Sequence, residues 1–174
     1  MISLSSVPTT GIPSSILHLS FVILVLVIVA GLYIKRIVDK KRFVLFALLV
    51  EYLFIVLCST VLFRPLLKAH EAVFSPLWVY FEQSNEKPGV SVWDIYVNIV
   101  LLMPVGILIA GIKPSFKWYK VLFAGLLCSL TIEVLQFMLK KGFFQLDDIL
   151  HNCLGCMIGW WLASMLLKIF WSRR

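Results

Sequence analysis

Charge is what this chain has least of. Asp, Glu, Lys and Arg make up 14% of its 174 residues, against about a quarter in a soluble globular domain. With 61% of residues hydrophobic and a mean hydropathy of +0.98, a soluble domain is excluded, because too few polar groups exist to cover the apolar surface. The chain also lacks a Gly-rich phosphate loop, a GxSxG elbow and an HExxH helix, which removes the commonest signatures of nucleotide binding, acyl transfer and zinc hydrolysis. It has no internal repeat, no coiled-coil heptads and no low-complexity tract. All four cysteines (Cys58, Cys128, Cys153 and Cys156) lie inside apolar runs, where they read as small buried hydrophobes rather than a disulfide framework. Cys153 and Cys156 with His151 lack a second pair of metal ligands, so neither a metal nor another cofactor is expected.

What remains is a succession of apolar runs of about 20 residues, the length that crosses ~30 Å of hydrocarbon. They predict an all-α, polytopic membrane bundle of five spans: roughly 16–34, 43–63, 93–112, 121–139 and 149–170. Residues 1–15 form a polar tail, and the positive charges follow the first run rather than precede it, as an uncleaved helix requires. The loop over 64–92 has balanced charge and carries the aromatic segment FSPLWVYF, which suits the headgroup zone. Lys and Arg number five in 35–42, three in 113–120 and two in the closing WSRR, against three in the long loop 64–92 and two at 140–141. Positive charge is retained on the cytoplasmic side, so the N-terminus is expected outside and the C-terminus inside. The net charge of +7 therefore reflects orientation, and no nucleic-acid partner is expected.

The stretch from Thr131 to Gly159 concentrates polar groups in otherwise apolar helices. At ~100° per residue, Gly125, Ser129, Glu133 and Gln136 share one face of the fourth span, and Asp148, Asn152, Gly155, Gly159 and Ala163 one face of the fifth. With 1.5 Å of rise per residue, Asn98, Glu133, Gln136, Asp148 and Asn152 fall at one depth in the outer leaflet, with Asp94 and Arg64 at its rim. An ionisable side chain within a membrane costs at least ~2.5 kcal/mol, so it normally faces the bundle and has a partner. Glu133 is expected to pair with Gln136, Asn98, Asn152 or Arg64. The competing reading is interhelical glue, worth ~0.6 kcal/mol per hydrogen bond; for Asn98 and Gln136 taken singly the two readings weigh equally. The small-residue stripes predict that the fourth and fifth spans pack together, Gly125 and Ser129 facing Gly159 and Ala163, with homodimerisation as the alternative use of Gly155 and Gly159. Glu51, in the second span at another depth, has no assigned role.

Three pieces taken together carry a resemblance: NIVLLMPVG from Asn98 to Gly106, EVLQF from Glu133 to Phe137, and DILHNCLGCMIG from Asp148 to Gly159. In order and spacing they resemble the VanZ-like family of small bacterial membrane proteins, over about residues 60–165. The resemblance implies a common membrane unit at 43–174, preceded by an added span and basic loop at 16–42. It further implies a place in the bacterial cytoplasmic membrane and a role in the cell envelope, in a family named for an antibiotic-resistance accessory protein linked to the glycopeptide teicoplanin. Family members often have an acid three positions before the equivalent of Asp148; Gln145 stands there in this chain, with Asp147 as a substitute.

Three functions fit. The polar layer of Arg64, Asn98, Glu133, Gln136, Asp148 and Asn152 could bind a membrane lipid headgroup, a lipid-linked wall precursor or a glycopeptide. Glu133 and Asp148 could instead be the catalytic acid and base of an intramembrane enzyme acting on such a lipid. A transporter component ranks third, since five spans without a repeat do not suit an autonomous transporter.

Overall fold

The computed structural model describes Ala30 and residues 39–70, 72–74 and 92–171. The N-terminal tail, the first expected span apart from Ala30, the aromatic segment of the long loop after Phe74 and the last three residues lie outside the described residues. Among the described residues, four helices are long and apolar enough to cross a membrane.

The first, α1 (Lys40–Leu57), starts where the Asp39 side chain accepts the Arg42 N–H at 3.0 Å, a capping contact that satisfies one of the unpaired amides of a helix start. It runs on into a π-helical turn, Cys58–Leu62, and ends before Pro65, which cannot supply a helical N–H. The second, α2 (Val92–Ile112), contains Pro104. After a short connection through Pro114 come α3 (Trp118–Met138) and α4 (Leu146–Trp171). Three of the four helices begin about a turn earlier than the apolar runs that predicted them, because a helix can extend through interfacial residues such as Lys40, Trp118 and Leu146.

The turn between α3 and α4 is a left-handed helix stop. Lys140, at φ 53°, donates its N–H to the Phe137 carbonyl at 3.2 Å, and the Lys141 N–H reaches the Gln136 carbonyl at 2.7 Å. This is the paired-bond closure usually built on glycine. The chain leaving α1 is stitched along this turn. Leu67 N donates to the Lys140 carbonyl at 2.7 Å, the Lys141 ammonium to the Arg64 carbonyl at 2.6 Å, and His70 Nδ1 to the Phe137 carbonyl at 2.7 Å. A two-residue parallel ladder follows, pairing β1 (Ala72–Val73) with β2 (Phe144–Gln145). This ladder is the one departure from all-α structure among the described residues.

The tightest packing joins α2 to α4, and it corrects the expected pairing of the small residues. A Cβ added at Gly155 would stand 1.8 Å from the Ile99 carbonyl oxygen, at Gly159 2.0 Å from that of Met103, and at Gly106 1.9 Å from that of Cys156. Gly155 and Gly159 thus receive the backbone of α2, not the Gly125/Ser129 face of α3. Gly125 instead packs on Cys153 and Cys156 of α4. The sequence stripe signals close approach but carries no information on which neighbour approaches. The core between the helices is built from Val56, Val61, Leu102, Val105, Ile109, Val121, Ile132 and Cys156. Large apolar side chains such as Phe123 (66% exposed) and Leu166 (55%) point outward, as helices surrounded by lipid require.

Candidate functional site

Antiparallel packing places the end of α1, the start of α2, the end of α3 and the start of α4 together. This end, termed the acidic end here, collects Arg64, Asp94, Asn98, Glu133, Asp147 and Asp148. Arg64 and Asp94 are exposed, Asn98 and Asp148 half-buried, while Glu133 (2% exposed) and Asp147 (3%) are buried. The site therefore descends from a charged rim to an enclosed floor.

Glu133 Oε2 accepts the backbone N–H of Gln145 at 2.9 Å. The expected side-chain partners do not take that place: Gln136 and Asn152 are turned to other groups. The β1–β2 ladder positions the Gln145 amide, so position 145 serves the site through its backbone, whatever its side chain. Asn98 lies beside the Asp148 carboxyl, and Arg64 lies within electrostatic range of both Asp148 and Glu133, which also sense each other. Asp94 and Asp147 face Asp148 at similar range. Asp147 and His151, a turn apart on α4 and both buried, interact as well. His151 and the Gln145 amide are members that the sequence did not single out for this site, and Asp147 entered only as a substitute for the acid missing at position 145.

The remaining layer residues hold the scaffold. Asn152 Nδ2 donates to Ser129 Oγ at 2.9 Å, tying α4 to α3; its Oδ1 is buried without a hydrogen-bond partner. Gln136 Nε2 donates to the Thr60 carbonyl at 2.9 Å. The reason lies in the π-helical turn. In that geometry the Thr60 carbonyl would take the N–H five residues on, which is Pro65 and has none. Gln136 fills the vacancy. A buried carbonyl left unsatisfied costs about 1–3 kcal/mol, so Gln136→Leu is expected to lower stability by about that amount in detergent melting experiments. Unchanged melting would show that the Thr60 carbonyl finds another donor.

Gly142 lies beneath both groups: a Cβ there would stand 3.1 Å from Arg64 Nη1 and 3.2 Å from Gln136 Oε1. The guanidinium is thus packed over the α3–α4 turn, with the Arg64 backbone carbonyl held by Lys141. No cluster of three metal-ligating side chains occurs among the described residues; the cysteines are free thiols, three of them buried.

An apolar helical bundle with carboxyl, amide and guanidinium groups gathered at one end defines a small polytopic membrane protein. The model of the VanZ/LLP1 family matches residues 21–168, and the chain belongs to that family. The match begins inside the first predicted span and takes in all four described helices. No curated protein and no solved structure matches the chain.

Proposed function

We propose that the acidic end binds the headgroup of an envelope lipid or of a lipid-linked wall precursor at the outer face of the bacterial cytoplasmic membrane. One observation carries this reading: Glu133 and Asp148, from different helices, converge with Arg64 and Asn98 at the end of a bundle whose outer surface is apolar. Carboxyls enclosed among apolar helices are costly and call for a partner. Arg64, whose charge reaches both carboxyls, sits at the rim. A headgroup supplies the complement, hydroxyl or ammonium donors to the carboxyls and phosphate oxygens to the guanidinium, whose planar fork suits them. Asn152 Oδ1 adds an acceptor at the floor. Binding of a lipid-bearing glycopeptide such as teicoplanin, or of the precursor it targets, would link the site to resistance.

The lipid reading is tested by extracting the lipids that co-purify with the wild type and with a Glu133→Gln/Asp148→Asn double variant. One headgroup class should be enriched over the bulk membrane in the wild type and return to the bulk proportion in the variant. Equal profiles in both would defeat it. A second reading, an intramembrane acid/base enzyme acting on such a lipid, is favoured by the electrostatic coupling between Glu133 and Asp148; it additionally requires a modified lipid to accumulate with the wild type alone.

The outward orientation has its own test. Gly142 is buried and unsuited to labelling, whereas Phe143 is exposed. In a cysteine-free background Phe143→Cys should react with an impermeant maleimide on intact cells, and Lys117→Cys should not. Labelling at 117 would invert the topology.

A further inference from the structure

The opposite end of the bundle carries a different chemistry. Contact between Leu45 and Gly111 places the start of α1 beside the end of α2, and the α2–α3 connection and the end of α4 lie at the same level. Arg42 is tied to Asp39 at 3.2 Å. The other described charges at this end are Lys40, Lys41, Lys113, Lys117, Lys120 and Lys168, all cationic, whereas the acidic end has as many acids as cations. Orientation alone asks only for an excess of positive charge on one side. It does not ask for the charges to converge, and here two do. The Lys113 and Lys120 ammonium groups lie 5.2 Å and 5.5 Å from the centre of the same Phe116 ring. The ring is fixed against the core and the loop is closed by a Phe116 N–H to Lys113 carbonyl bond of 3.0 Å. Beside it, Trp118 and Tyr119 are exposed and meet edge to face, their ring centres 6.1 Å apart, an arrangement suited to the headgroup level of a bilayer.

We infer that Lys113 and Lys120, held beside the Phe116 ring, form a binding site for the phosphate of an anionic phospholipid in the leaflet at this end. Two ammonium groups within 5.5 Å of one ring centre gather positive charge at this loop, which a phosphate would neutralise while its acyl chains lie along the apolar flanks of α2 and α3. Aromatic residues at headgroup depth favour a lipid over a free ion. The site is separate from the acidic end and independent of the function proposed for it.

The experiment is native mass spectrometry of the purified protein with phosphatidylglycerol or phosphatidylcholine added, on the wild type, on Lys113→Gln/Lys120→Gln, and on Lys68→Gln as a control from the other end. The wild type should retain phosphatidylglycerol in preference to phosphatidylcholine. The double variant should lose roughly thirtyfold of that preference, in line with the attraction of about 1 kcal/mol that each surface lysine contributes to anionic lipid, and Lys68→Gln should keep it. High salt should erode the wild-type preference, a readout that needs no variant to fold. Equal retention of the two lipids by the wild type, an unaltered preference in the double variant, or displacement of phosphatidylglycerol by millimolar inorganic phosphate would each overturn the assignment.

Discussion

Gly155→Ala should be the most damaging single-methyl change in the chain. The added Cβ would stand 1.8 Å from the Ile99 carbonyl oxygen and 2.7 Å from its carbon, and at Gly159 the corresponding distances to Met103 are 2.0 Å and 2.9 Å. Both obstacles are backbone, so no rotamer change relieves the clash, and α2 and α4 must separate along their whole seam. Alanine gains up to about 1 kcal/mol of helix propensity over glycine, but separating packed helices forfeits far more contact. Overpacking of this kind costs ~3 kcal/mol or more. Either variant should melt well below the wild type in detergent or fail to accumulate. Gly142→Ala is the control. Its neighbours are the ends of the flexible Arg64 and Gln136 side chains, at 3.1 and 3.2 Å, so its melting should barely move. If Gly155→Ala and Gly159→Ala melt like the wild type, the two helices do not approach through their glycines.

The second large effect concerns activity rather than stability. Glu133→Gln and Asp148→Asn are expected to abolish complementation of a deletion strain while leaving expression and melting nearly unchanged. Glutamine at 133 keeps an oxygen for the Gln145 N–H, and asparagine at 148 keeps one for Asn98, so both swaps preserve shape and hydrogen bonding. They remove the charge or the proton. A charge-assisted hydrogen bond to a ligand is worth ~1.5–3 kcal/mol, so activity should fall by roughly tenfold to a hundredfold. Leucine at either position would instead unsettle the scaffold and say nothing about the site. A purely structural role makes the opposite forecast: mild effects from the amides and large stability losses from leucine. Full complementation by both amide variants would mean that the acidic end is scaffolding.

The division between these two predictions follows what each residue touches. Gln136 and Asn152 stood level with Glu133 and Asp148 in a single polar layer, yet one serves a carbonyl that Pro65 leaves without a donor and the other ties two helices through Ser129. Neither partner could be picked out by helix arithmetic, which yields depth and face but not the atom opposite. The Gln145 amide escaped notice for another reason. Every residue but proline has an N–H, so only the ladder that aims this one at Glu133 marks it out. That ladder is two residues long, too short to show any alternation in the sequence.

By itself the sequence determined the membrane setting, the four described helices to within about a turn, and the depth shared by Asn98, Glu133, Asp148 and Asn152. Those properties are additive along the chain: transfer free energies sum over a run of apolar residues, and a fixed rise per residue converts position to depth. The tertiary structure alone decided that Gly155 and Gly159 receive α2 rather than α3, that Gln136 answers Pro65, and that Arg64 is packed over Gly142. Each depends on the rotation and crossing of one helix against another. In a bundle where nearly every face is apolar, hydropathy is almost the same at every rotation. Only the few positions lacking a Cβ, or holding a polar group that must find a partner, select one packing, and that selection is made between helices rather than along the chain.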